Sequence, residues 1–106
     1  MKRRDLIIQR IVDIINRTES NFELYLYGSR ARGTAKKSSD WDILILLNAD
    51  KLSFEKETRL INNIYEVELE TGEVISPLIY TKIDWQTRHK STPLYSNINK
   101  EGIKLI

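Results

Sequence analysis

The spacing of apolar residues along the chain divides it into elements. Leu6, Ile7, Ile11, Ile14 and Ile15 recur every three to four positions, which predicts an amphipathic helix over residues 3–17. Phe22, Leu24 and Leu26 alternate with Glu23, Tyr25 and Tyr27, the period of a strand. Residues 28–39 hold no apolar side chain larger than alanine and read as a loop with one helical turn near Ser29. Residues 41–47 are apolar except for Asp42, as expected for a strand covered on both faces. Asn48 and Asp50 break that run.

A second helix then starts from Ser53 with Lys56, or from Asp50 with Phe54. Its predicted apolar face is Leu60, Ile61, Ile64, Tyr65 and Leu69, and Gly72 stops it. Residues 74–80 read as a third strand. Pro77 has no amide to donate, so this strand belongs at an edge or carries a bulge. Asp84, Trp85 and Gln86 suggest a helical turn. Pro93 opens a last helix with Leu94, Ile98 and Ile103 facing inward, weakened by Gly102. The fold class is therefore α/β, in the α+β sense: a small mixed β-sheet flanked by helices.

Composition narrows the chemistry. A length of 106 residues predicts a single domain over 1–106. There is no Cys, which excludes disulfides and thiolate metal sites. The single His excludes a multi-His metal centre within one chain, and a Ser-His-Asp hydrolase would rest wholly on His89. The opening MKRRDLIIQR has no unbroken apolar run, and no stretch approaches the roughly 18 apolar residues of a membrane span. The expectation is a cytoplasmic protein without a membrane partner.

Net charge is +2, too small for a strong nucleic-acid signal. That small value averages an uneven distribution. Residues 1–40 carry a net +4, residues 41–80 a net −5 and residues 81–106 a net +3. Solvated faces would give such a pattern, and so would a site that holds a cation with carboxylates and an anion with Lys and Arg.

The richest stretch lies where the first two segments meet: Gly28-Ser29-Arg30-Ala31-Arg32-Gly33, then Ser38-Ser39-Asp40-Trp41-Asp42. Gly28 directly follows a strand, where the absence of a Cβ permits a sharp turn and close approach to the backbone. Ser29 offers a hydroxyl and an amide at a helix start, a position that favours phosphate. Arg30 and Arg32 add positive charge, and Gly33 allows a second turn. Asp40 and Asp42, two apart on a strand, share one face with Trp41 on the other. Two carboxylates held together repel unless a cation lies between them. Mg²⁺ suits one or two carboxylates, with water and phosphate oxygens filling its shell, and Mn²⁺ is an alternative. A phosphate cradle followed by a carboxylate pair is the equipment of phosphoryl or nucleotidyl transfer.

GSRARG followed by SDWDILILL resembles the minimal nucleotidyltransferases of the DNA polymerase β-like superfamily. The resemblance implies a polymerase β-like nucleotidyltransferase fold and a nucleoside triphosphate, ATP above all, as substrate. It implies that Gly28 and Ser29 bind the triphosphate, that Arg30 or Arg32 neutralises charge, and that Asp40 and Asp42 are the catalytic metal ligands. The family normally adds a third carboxylate on the following strand. Here that stretch is Glu73-Val74-Ile75-Ser76-Pro77, with Ser76 at the expected place and Glu73 as the substitute. Glu68 and Glu70 are expected on the exposed side of the preceding helix.

Members of this size resemble the antitoxin half of two-gene toxin–antitoxin pairs, whose nucleotidyltransferase modifies a HEPN-type ribonuclease. That implies a HEPN-type partner protein as acceptor, or a partner subunit that completes the site. Two alternatives stay open: a nucleotide- or partner-binding module without turnover, and a dimeric small-molecule nucleotidyltransferase such as one that modifies an antibiotic. The remaining polar candidates, His89, Lys82, Arg88 and Lys90, read as surface residues. Trp41 and Trp85 read as core or interface.

Overall fold

Strict alternation along the central strand organises the protein. The computed structural model describes residues 2–106. In chain order the elements are α1 (Arg3–Asn16), β1 (Phe22–Tyr27), α2 (Ser29–Arg32), β2 (Trp41–Leu47), α3 (Phe54–Thr71), β3 (Ile75–Thr81), α4 (Lys82–Thr87), α5 (Pro93–Glu101) and β4 (Ile103–Lys104). The strands form one mixed sheet in the order β3-β2-β1-β4. β1 runs antiparallel to β2 and β4, and β3 runs parallel to β2. This is an α+β fold, as the sequence pattern predicts.

Each sheet face has its own layer. Trp41, Ile43, Ile45 and Leu47 of β2 point to one face, where α1 and α3 cover them with Ile7, Ile11, Ile14, Leu60, Ile64 and Val67. Leu44 and Leu46 point to the other, beneath Trp85 of α4 and Ile98 of α5. Coverage on both sides explains why β2 is almost wholly apolar. Burying each such side chain contributes about 1.5–3 kcal/mol. Pro77 lies on β3, which is an edge strand as its missing amide requires.

The termini of the helices follow local chemistry. The Ser53 hydroxyl accepts from the Lys56 amide at 3.1 Å and starts α3, and Gly72 ends it at φ 74°. Thr81 and Thr92 cap α4 and α5 in the same way. Among the described residues no helix is long and apolar enough to cross a membrane.

Three expectations need correction. The covered face of α3 is Leu60, Ile64 and Val67, whereas Ile61, Tyr65 and Leu69 are exposed. At 100° per residue, positions 61, 65 and 69 fall on the side of the helix away from 60, 64 and 67. The last helix stops at Glu101, because Gly102 takes an extended conformation and Ile103 joins β4 beside Leu26. Ile103 is therefore an edge-strand residue and not part of a helical face. Glu68 is half-buried and accepts from the Ile75 amide at 2.8 Å, so it fastens the start of β3.

Candidate nucleotide-transfer site

Sheet register gathers the site. Tyr27 at the end of β1 lies opposite Asp42 at the start of β2, and Asp42 lies beside Ser76 of β3. All three share the face away from Trp41. Asp40, two residues earlier, projects on the same side, and the Ser76 hydroxyl donates to its Oδ2 at 3.1 Å. The expected carboxylate pair is thus assembled, with a hydroxyl where a third acid was sought.

Gly28 is shaped for this place twice over. Its φ of 74° is one that residues with a side chain rarely adopt. A Cβ there would also collide with Oδ2 of Asp42. The turn therefore carries the backbone directly against the carboxylate. Ser29 and Arg30 follow as the first two residues of α2, so their amides have no acceptor within that helix. The Ala31 and Arg32 amides both donate to the Gly28 carbonyl. Gly33 ends the turn in the left-handed conformation at φ 78°.

Charge at the pair is uneven. Burial, then the neighbouring Asp40 carboxylate, pushes the Asp42 carboxyl above its ordinary value, while the Arg32 guanidinium pulls the other way. Arg32 is itself held by Glu101 of α5 at 3.0 Å. Tyr27 is pushed up to about 12, by burial first, then by Asp42 and Tyr80. It stands beside the dyad as a neutral phenol.

The two arginines of the motif part company. Arg30 crosses to the opposite side, where its guanidinium lies 4.3 Å from the centre of the Trp41 ring. It donates to the Ser39 carbonyl at 2.8 Å and approaches Glu73 at 3.7 Å. The structure does not bring Arg30 to the carboxylate pair; it pins the loop that delivers Asp40. Glu73 is engaged there too, accepting from Trp41 Nε1 at 3.2 Å and from Arg3 Nη2 at 3.1 Å. It is turned away from Asp40 and Asp42.

Sequence reasoning missed Tyr27, Glu101 and the partnership of Arg30 with Trp41. The alternation of β1 was the available signal for Tyr27; nothing local pointed to the other two. Away from the site, Lys82 pairs with Glu23 at 2.5 Å and Arg88 reaches Asp84 at 3.9 Å. His89 is half-buried rather than a free surface residue, its ring 4.2 Å from that of Tyr80.

A carboxylate pair beside a glycine turn and a helix start matches a recognised domain. A family model described as a nucleotidyltransferase domain matches residues 8–105. The chain belongs to that family. No curated protein matches the chain. Solved structures of similar fold include a toxin–antitoxin with AMP-PNP, at 21% identity and a TM-score of 0.67, covering 93% of this chain and 72% of that one. A mutant of the toxin–antitoxin MntA-HpeT aligns at 17% identity and a TM-score of 0.64, covering 93% and 71%. A protein from Shewanella oneidensis aligns at 18% identity and a TM-score of 0.61, covering 95% and 70%.

The donor set of this nucleotidyltransferase domain has a definite capacity. Among the described residues no group of three or more His, Cys, Asp or Glu gathers to hold a metal. Asp40 and Asp42 alone supply two hard oxygen donors, and burial first and the neighbouring Asp40 second make the ionised form of Asp42 costly without a cation beside it. That suits a magnesium ion, which keeps water and takes phosphate oxygens in its remaining positions.

Proposed function

We propose that this nucleotidyltransferase domain moves a nucleoside monophosphate, AMP from ATP, onto a hydroxyl of a partner protein, and that it acts as the antitoxin of a toxin–antitoxin pair in the cytoplasm. The observation that carries the reading is the convergence of Asp40 and Asp42 on one face beside the Gly28 turn. The similar fold of a toxin–antitoxin solved with AMP-PNP supports ATP as donor and a toxin as partner, and the motif resemblance makes that partner a HEPN-type ribonuclease.

Each residue then has a task. Asp40 and Asp42 would hold magnesium, or manganese, which when bound offsets negative charge on the phosphates. Gly28 admits the triphosphate close to the backbone. The Ser29 hydroxyl and the first amides of α2 face its oxygens, and Gly33 closes the turn. Arg32, oriented by Glu101, supplies positive charge. Arg30 serves indirectly by fixing the loop before Asp40. The acceptor oxygen bonds to the α-phosphorus as the bond to the β-phosphate oxygen breaks. Pyrophosphate leaves, and the acceptor proton passes to water.

The decisive experiment combines the protein with α-labelled ATP, Mg²⁺ and a HEPN-type protein encoded beside it. Label should move to the partner, and Asp42→Asn should abolish the transfer. Transfer undiminished in that variant overturns the site.

One observation favours a second reading. Ser76 cannot accept a proton as a carboxylate does, so slow or absent turnover with intact nucleotide and partner binding would mark a binding module. Tight partner binding without transfer at any metal concentration identifies that case.

A further inference from the structure

The helix α3 has two apolar faces, and only one is covered. Leu60, Ile64 and Val67 are buried against the sheet. Phe54, Ile61, Tyr65 and Leu69 are 81%, 46%, 56% and 69% exposed. Their spacing of seven, four and four residues stacks them along one side of the helix, and Thr58 falls in the gap. The row spans roughly 22 Å at 1.5 Å per residue. Single exposed apolar side chains are ordinary, but an aligned row of four large ones marks an interaction surface.

Acidic residues border the row on both sides. By helical rotation Glu57 and Glu68 flank one edge, and Glu55 and Glu66 flank the other. Glu68 is engaged by the Ile75 amide, and Glu66 pairs with Arg17 at the end of α1 at 3.4 Å. The uncompensated border charges are therefore Glu57 on one side and Glu55 on the other, and the cations of α3 do not cancel these two. Lys56 turns to Glu19 at 2.5 Å, and Arg59 lies beyond the second acidic edge. Stripe-to-stripe pairing of two copies would set carboxylate against carboxylate in either direction, which disfavours a homodimer through this face.

We infer that the outer stripe of α3 docks an amphipathic helix of another protein whose apolar row is flanked by Lys and Arg. The apolar rows supply the contact, and the charged borders select the partner and its register. The surface stands apart from the nucleotide-transfer reading. α3 covers the sheet face opposite Asp42, so a helix docked there leaves Asp40 and Asp42 open.

A synthetic helix of about 22 residues, matching the stripe in length, tests this. It carries Leu at the stripe spacing and Lys on both flanks, and a second version carries Glu in place of Lys. Fluorescence anisotropy measures binding of each to the full chain, without nucleotide, so its outcome is separate from that of the transfer assay. The Lys-flanked helix should bind, and the triple variant Ile61→Ser, Tyr65→Ser, Leu69→Ser should weaken it at least about tenfold. A protein carrying Glu55→Lys, Glu57→Lys and Glu66→Lys should instead prefer the Glu-flanked helix. Glu55 and Glu66 are exposed and Glu57 is half-buried, and circular dichroism verifies that the variants fold. Equal binding to the wild type and the triple variant would overturn the proposal by reducing it to bare charge attraction. So would sedimentation that finds the wild type dimeric and the triple variant monomeric, because a second copy would then occupy the stripe.

Discussion

The Ser76 hydroxyl donates to Asp40 while the Ser76 backbone stands beside Asp42, so one residue touches both halves of the carboxylate pair. The parallel pairing of β2 with β3 imposes this contact, since register partners on one face are close neighbours. A hydroxyl there offers a proton to a carboxylate. It cannot take one from an attacking alcohol near neutral pH, as a third carboxylate would.

Replacing Ser76 with aspartate should therefore improve catalysis and harm the metal-free protein. Ser76→Asp adds a third negative charge, and we expect it to lower metal-free stability by about 1 kcal/mol. With Mg²⁺ that loss should vanish, and single-turnover transfer should accelerate by roughly 10²-fold, the lower end of general-base effects. Ser76→Ala should leave the rate within about threefold, consistent with loss of one neutral donor. A variant Ser76→Asp that is no faster than wild type would show that proton removal is not the limiting deficit.

Glu73 should behave in the opposite way. Its carboxylate is largely buried between Arg3, Arg30 and the Trp41 ring nitrogen. Glu73→Gln leaves the guanidinium of Arg30 without its carboxylate, and we expect a loss of about 1–3 kcal/mol in urea unfolding. Metal-dependent nucleotide affinity of the folded protein should stay within about twofold. A large loss of affinity at unchanged stability would return Glu73 to the list of site residues.

The elements most readable in the sequence were those whose residues obey one rule. β1 and β2 alternate or run apolar throughout, and their observed limits are those the pattern predicts. The motif loop was readable because Gly28 directly follows β1 and Asp40 directly precedes β2, so that strand period carries Asp40 and Asp42 to one face. The apolar faces of α3 were harder, because Leu60 and Ile61 are adjacent, as are Ile64 and Tyr65. Each pair straddles two faces, and only the sheet decides which one is covered. β4 was unreadable because two residues become a strand only by pairing with Tyr25 and Leu26, nearly eighty positions earlier. The destination of Arg30 depended on Trp41 and Glu73 in the same way, through contacts distant in sequence.

At Gly28 the prediction combines strain with displacement. Gly28→Ala must either hold φ at 74° or refold the turn, and its methyl group points at Oδ2 of Asp42. We expect a stability loss of about 1–3 kcal/mol, the cost of a side chain in a disfavoured backbone region. Nucleotide affinity in Mg²⁺ should fall by more than about tenfold, because both the turn and the carboxylate move. Urea unfolding and equilibrium binding separate the two effects. Gly33→Ala is the control, since its φ of 78° imposes similar strain but nothing lies within 4 Å of its Cβ. It should lose stability with a smaller loss of affinity.

The ionisation of Asp42 makes a prediction with a definite sign. Its folded-state value is raised, by burial first and then by Asp40, so the native protein binds this proton more tightly than the unfolded chain. The stabilisation from protonation is fully present below the ordinary value of 3.8 and is lost as pH rises through the raised one. In metal-free buffer at pH 7 the ionised carboxylate is thus a deficit. Asp42→Asn should raise Tm by a few degrees, on the order of 1–4 °C, since solvent screens a half-exposed group. The gain should shrink as the pH falls towards 4. Mg²⁺ should raise Tm of the wild type and not that of the variant. Glu23 runs the other way. The Lys82 hydrogen bond, and then that of Tyr25, lowers its value, so its contribution is present above 4.5 and lost as pH falls through the lowered value. Glu23→Gln should therefore cost stability at pH 7 and progressively less in acid. Thermal unfolding from about pH 2 to pH 7 resolves both trends. An Asp42→Asn difference that stayed constant across this range would mean that packing, and not charge, separates the two proteins.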